Sequence, residues 1–259
     1  MCYRFVEYSS VLRGTFDSVI DCTYVLLMEN SPREESILKT VKEAQLTKCV
    51  RIQYNKGFRK CTKNLPEQKP NFDLCHALQN VFKDALANGY ERIVVLEDDC
   101  LFDERIHDPE VVNDLTTFLR DTNPKVYNLG TMIFLTFPWA PLFQKHHRML
   151  CGSMTHAMIY NKKYMETVVQ SIHMSTDIEP TFHFSAFTYH KPLAYQLFTP
   201  TENSQEGWYG AWPAINYLIF ERFHMDTCYQ PGFDRMYKVS HGMSIVIFLL
   251  IFYVILKNK

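Results

Sequence analysis

The run Ile93-Val94-Val95-Leu96-Glu97-Asp98-Asp99-Cys100 constrains this chain more than any other segment. Four apolar residues, three of them β-branched, predict a strand buried on both faces. Three carboxylates follow where that strand should leave its sheet. Like charges packed so closely repel one another, and a hard divalent cation with oxygen ligands relieves the repulsion. In open α/β sheets the carboxyl ends of the strands are also where ligands bind. The alternative is an acidic turn with solvated side chains, and its place directly after a buried strand favours the metal.

The flanking pattern alternates strand and helix. Cys22–Met28 reads as a strand, and Ser31-Pro32-Arg33-Glu34 supplies an N-cap, a first-turn proline and a capping-box glutamate for a helix with Ile37, Leu38, Val41 and Ala44 on one face. Cys49–Ile52 is a short strand, and a basic, loop-like stretch runs from Asn55 to Pro70. Asp73 can cap a helix that Gly89 ends. After the acidic strand, Asp108-Pro109 opens a further helix and Val126–Leu129 a further strand. Strand-helix units of this length predict an α/β fold with a mainly parallel, twisted sheet flanked by helices. Beyond residue 130, His156–Tyr160 reads as a strand and Lys162–Ile172 as a helix. Residues 177–235 read as loops that close over a site.

A chain of 259 residues with 47% hydrophobic content can bury a substantial core. Its formal charge of −1 argues against nucleic acid as a partner, because that binding takes a basic stripe. The eight cysteines contain no CxxC pair and no zinc-like spacing, so they read as dispersed thiols. No basic segment followed by a long apolar one opens the chain, which leads to the expectation of a reducing, cytosol-facing domain.

The carboxy-terminal part differs. Residues 239–256 include MSIVIFLLIFYVIL and carry no formal charge if His241 is neutral. Eighteen residues approach the roughly 20 needed to span a bilayer core, so the expectation is a transmembrane tail anchor behind a catalytic domain over residues 1–235, with a buried core helix as the alternative. The catalytic candidates all precede residue 225, so the domain is expected to fold without this tail.

Leu96-Glu97-Asp98-Asp99 after an apolar strand, with Leu74-Cys75-His76 opening the preceding helix, resembles glycosyltransferase family 25, the lipooligosaccharide and collagen-galactosyltransferase type. Gly152-Ser153-Met154-Thr155-His156-Ala157 is similar to the family's Gly-Thr-His-Ala strand. Asp177, Pro192, Gln196 and Ser204 fit later positions, so the resemblance covers about residues 22–205. It implies a GT-A fold, a nucleotide-sugar donor (a UDP-sugar foremost), a glycan or glycoprotein acceptor, a divalent metal (Mn²⁺, or alternatively Mg²⁺) and inversion at the anomeric carbon. The chain departs from the family at Leu27-Met28-Glu29-Asn30, at Glu34, and at Cys75, where serine is usual.

In this chemistry a metal stabilises charge developing on the diphosphate leaving group. Asp99 and Asp98 are the expected metal ligands, and Asn30, Arg33, His76, Glu97 and Asp98 the expected donor-binding residues. His183, His190 or His224 could add a ligand. An inverting transfer also needs a base for the acceptor hydroxyl, and Asp177 and Glu179 are the candidates. Trp139, Trp208, Tyr209 and Trp212 could stack on an acceptor sugar. Two other readings stay open: a catalytically inactive, membrane-tethered binding protein, and a metal-dependent nucleotidyltransferase, although neither GxxxxGK[ST] nor GxGxxG is present.

Overall fold

A computed structural model of the chain describes residues 1–8, 12–131, 134–136, 144–170, 180, 185–197 and 231–257. Its strands are β1 (Tyr3–Glu7), β2 (Cys22–Met28), β3 (Val50–Asn55), β4 (Arg92–Glu97), β5 (Cys100–Phe102), β6 (Val126–Asn128), β7 (Phe134–Thr136), β8 (His146–Gly152), β9 (Ala157–Asn161), β10 (Ala186–Tyr189) and β11 (Ala194–Gln196). Its helices are α1 (Glu34–Ala44), α2 (Pro70–Ala87), α3 (Pro109–Thr122), α4 (Lys162–Gln170) and α5 (Pro231–Lys257).

Nine strands form one sheet in the order β1-β3-β2-β4-β9-β6-β10-β8-β7, while β11 and β5 form a separate two-stranded ribbon. The expected mainly parallel sheet is corrected here to a mixed one. Among the pairings of the large sheet, β2–β3, β2–β4 and β6–β10 are parallel and the other five antiparallel. The reversal comes from β9, which lies antiparallel between β4 and β6.

Alternation along the central strands explains why the sheet is covered on both faces. Val25 and Leu27 of β2, with Val94 and Leu96 of β4, pack with Ile37, Val41, Leu115 and Leu119 of α1 and α3. Tyr24, Leu26, Ile93 and Val95 point the other way, toward Leu78, Val81 and Phe82 of α2 and Tyr164 and Met165 of α4. Full burial of each such side chain stabilises the fold by about 1.5–3 kcal/mol. Two tight backbone approaches need glycine. A Cβ on Gly14 would come within 2.2 Å of the Thr47 backbone, and one on Gly130 within 2.2 Å of the Ala194 carbonyl and 2.6 Å of the His156 ring.

The cysteines are not dispersed thiols. Cys2 pairs with Cys61 and Cys22 with Cys49, and Cys75, Cys100 and Cys151 take no part in these two bridges. The second bridge ties the start of β2 to the residue before β3, two neighbours that the sheet aligns in parallel. Disulfides persist in oxidising compartments, so the thiol pattern no longer supports a reducing, cytosol-facing domain.

Helix α5 is one continuous helix of 27 residues. Its portion Tyr237–Lys257 has mean hydropathy 2.4 and is long and apolar enough to cross a membrane. Val246 to Leu256 are exposed around the whole helix, which argues against a core element. The first turns of α5 pack on the sheet. Tyr237, Ser240 and Ser244 are buried against β7, Phe134 N–H donates to Ser240 Oγ at 3.4 Å, and Thr136 N–H donates to Ser244 Oγ at 3.1 Å. Strand β7 ends the sheet, and the helix supplies acceptors for an edge that would otherwise be bare. The first turns of α5 are therefore part of the packed body.

Candidate active site

The acidic run leaves the sheet as expected. Strand β4 ends at Glu97, Asp98 and Asp99 form the turn, and Cys100 begins β5. Strand β11 then closes over the turn: Gln196 lies opposite Cys100, and Leu197 N–H donates to the Asp99 carbonyl at 2.8 Å. From the other side comes the turn after β2, where Asn30 adopts a left-handed φ of 64°. That conformation, tolerated by asparagine, turns the chain so that Ser31 and Arg33 meet the carboxylates.

Each contact is specific. Arg33 Nη2 lies 3.0 Å from Asp98 Oδ1, and Nη1 lies 3.6 Å from Asp99 Oδ2. Ser31 Oγ donates to Asp98 Oδ2 at 3.1 Å. Gln196 Nε2 donates to Asp99 Oδ2 at 2.9 Å. The Ser31 hydroxyl was expected to cap α1. Instead Arg33 occupies the N-cap position, α1 has no side-chain cap, and the hydroxyl accepts from Arg33 N–H at 3.2 Å while donating to Asp98. A local helix-capping rule is broken in favour of the site, as functional sites often do.

Among the described residues charge is under-compensated. Asp99 is only 4% exposed, and among the described residues its Oδ1 has no hydrogen-bond partner. Burial pushes the Asp99 carboxyl up to about 6; the Gln196 hydrogen bond and Arg33 oppose that rise, and the Asp98 charge adds to it. Burial also raises Asp98, against the pull of Arg33 and Ser31. Among the described residues one guanidinium faces two buried carboxylates, and one buried carboxylate oxygen meets no donor.

Glu97 borders a small, mostly apolar, water-sized space between the sheet and α2, lined by Leu26, Leu74, Cys75, Leu78, Val95, Thr155 and Tyr160. Thr155 Oγ1 donates to Glu97 Oε1 at 2.9 Å, and Glu97 N–H donates to the His156 carbonyl at 2.9 Å. The Gly152–Ala157 segment, quoted above for its resemblance, therefore meets the acidic turn in space. Burial lowers the pKa of fully buried His156 to about 4, so its ring is neutral at physiological pH.

Not every expected residue is brought to the pair. Arg33, Glu97, Asp98 and Asp99 gather at the end of β4. Asn30 is exposed on the turn that presents Arg33, and His76 engages Tyr3 OH at 2.6 Å beside Asn80 on α2. His190 is no neighbour of the acidic turn in its described contacts; it packs on Tyr189, with ring centroids 4.4 Å apart, in a patch that includes His146 and His147. Asp177, Glu179, His183, His224, Trp139, Trp208, Tyr209, Trp212 and Ser204 lie outside the described residues. Ser31 and Gln196 are the additions. Gln196 carried a signal only through the family resemblance, and Ser31 was assigned to a cap.

A divalent metal was the expected cofactor. No group of three or more His, Cys, Asp or Glu side chains able to hold an ion occurs among the described residues. A cation that is bound through one or two carboxylates and completes its shell with substrate phosphates and water needs no such group. The unpartnered Oδ1 of Asp99 and the all-oxygen donor set of the acidic pair suit that mode.

No protein-family model matches the chain, and no curated protein does. Solved structures give distant matches. The crystal structure of A197 from STIV aligns with a TM-score of 0.43 at 8% identity, covering 70% of this chain and 86% of that one. A glycosyltransferase involved in glycosylation of the major capsid of PBCV-1 aligns at 0.38 and 11%, covering 69% and 96%. A putative glucose-1-phosphate thymidylyltransferase from Bacillus anthracis aligns at 0.33 and 9%, covering 80% and 78%. Scores this low leave the function to be read from the chain's own residues.

Proposed function

We propose that the chain is a metal-dependent glycosyltransferase of GT-A type, moving a sugar from a nucleotide-sugar donor to a glycan or protein acceptor with inversion. The observation that carries this reading is the buried Asp98/Asp99 pair at the carboxyl end of β4, which among the described residues meets one guanidinium and has one carboxylate oxygen unpartnered. A divalent cation held there with the donor's diphosphate would stabilise charge on the leaving group. The chain's own residues do the rest. Asp98 and Asp99 present the ligand oxygens, Gln196 and Ser31 fix their orientation, and Glu97 is held by Thr155 beside the pair. Asp177 is the proposed base, with Glu179 second.

The test is hydrolysis and transfer of UDP-sugars with Mn²⁺ or with EDTA. Asp99→Asn should cost orders of magnitude in both reactions. Asp177→Asn should lose transfer and keep donor binding, since a base acts on the acceptor hydroxyl alone. Full activity of the Asp99→Asn variant refutes the assignment.

A further inference from the structure

We infer that Arg33 is an exchangeable counter-ion: it holds the Asp98/Asp99 pair while no divalent cation is bound, and is handed to the donor's diphosphate when one is. This rests on the proposed glycosyltransferase reading and adds to it how the site changes between its empty and loaded states.

Three observations carry it. First, the guanidinium engages one oxygen of each carboxylate that a cation would draw on. Arg33 Nη2 is 3.0 Å from Asp98 Oδ1 and Nη1 is 3.6 Å from Asp99 Oδ2, so Arg33 spans the two carboxylates. A second cation cannot share those oxygens without repulsion at close range. Second, the grip is incomplete. The contact to Asp99 is an ion pair without a hydrogen bond, and among the described residues Nη1 is a buried donor with no acceptor, although Arg33 normally offers a planar fork suited to two oxygens. Asp99 Oδ1 is likewise a buried acceptor with no donor. Third, the remaining carboxylate contacts do not depend on Arg33. Ser31 holds Asp98 and Gln196 holds Asp99, so the pair stays oriented when the guanidinium leaves. Arg33 itself stands on a short turn before α1 with a side chain 23% exposed. Its unspent donors match phosphate oxygens, which the fork binds bidentately.

The experiment compares the full-length parent with Arg33→Gln and Arg33→Lys in detergent. Mn²⁺ affinity is read from the free-ion electron paramagnetic resonance signal, and affinity for UDP from calorimetry at saturating Mn²⁺. Without nucleotide, Arg33→Gln should bind Mn²⁺ at least tenfold more tightly than the parent, because the competing charge is gone. With Mn²⁺ present it should bind UDP at least tenfold more weakly. Arg33→Lys keeps a charge without the fork, so its Mn²⁺ affinity should fall between the two, and it serves as the folded comparison should the glutamine variant unfold. Unchanged or weaker Mn²⁺ binding in Arg33→Gln, with parent binding abolished by Asp99→Asn, overturns the exchange and leaves the metal site standing. Absence of Mn²⁺ binding from the parent and both Arg33 variants overturns the exchange together with the metal-dependent reading. Unchanged UDP affinity overturns the hand-over to the diphosphate.

Discussion

Asp99→Asn should make the protein more stable at neutral pH, whatever it does to activity. The carboxyl has an ordinary value of 3.8 and is pushed up to about 6 by burial. Below pH 4 it is protonated in folded and unfolded chains alike and nothing is lost. Above pH 6 it is ionised in both, and the folded state carries the full penalty of a charge it solvates poorly. About two pH units at 1.36 kcal/mol each amount to roughly 3 kcal/mol. Asparagine removes the charge, keeps an oxygen for Gln196, and places a buried N–H where Oδ1 has no partner, which returns about 1–2 kcal/mol of that gain. The expected net stabilisation is about 1–2 kcal/mol at pH 7.5; at pH 4, where the charge penalty has nearly vanished and the N–H cost remains, the variant should be about 1 kcal/mol less stable than the parent. Urea unfolding in mild non-ionic detergent with EDTA, followed by tryptophan fluorescence, measures it at both pH values. A variant less stable than the parent at pH 7.5 would mean that Arg33, Ser31 and Gln196 compensate the ionised carboxylate fully. Asp99 would then be a structural acid and the case for a waiting cation would collapse.

Three further outcomes follow from other parts of the fold. Ser244→Ala leaves the buried Thr136 N–H without its acceptor and should cost about 1–3 kcal/mol, with Ser240→Ala costing less because its contact is longer; a change under about 0.5 kcal/mol in Ser244→Ala, by the same unfolding assay, would show that α5 does not cover β7. His146 is buried between Phe118 and Tyr127, and burial lowers its pKa to about 4; its contribution is present in full above about pH 6.5 and is lost as pH falls toward 4, on the order of 3 kcal/mol, so His146→Gln should flatten the acid limb of the stability profile. Maleimide labelling of the unfolded, unreduced protein should leave Cys2, Cys22, Cys49 and Cys61 unmodified until a reductant is added, while Cys75, Cys100 and Cys151 react; free Cys22 and Cys49 would remove that bridge.

How much of this was legible in the sequence depended on whether the signal was local. The buried strand Arg92–Glu97 and the acidic turn after it could be read because hydrophobic burial and like-charge crowding are properties of adjacent residues. Gly89 at φ 75° ends α2 as its position predicts. Direction is another matter. Nothing in Ala157–Asn161 says that the strand enters antiparallel between β4 and β6, because side-chain alternation is the same for either direction. Ser31 was assigned to a helix cap because a hydroxyl before proline and glutamate fits one; its true partner, Asp98, is 67 residues away. Gln196 reaches Asp99 across 97 residues. The disulfides fall under the same limit: connectivity is set by which strands become neighbours, and spacing alone cannot give it.

The unbroken course of α5 from the sheet edge to Lys257 leaves no hinge between the globular body and its apolar end. At 1.5 Å per residue the helix is a mast about 40 Å long, stepped into the protein by Tyr237, Ser240 and Ser244. With its exposed turns in a bilayer, the body cannot swivel on a tether or sample a range of heights. On the proposed reading the acidic turn of β4 would then sit at one height over the lipid surface, and acceptors would be sorted by how far their hydroxyls stand from the membrane as well as by what they are. Glycine-serine residues inserted after Ser244 would turn the mast into a leash, broadening that reach while leaving every group at the acidic turn in place.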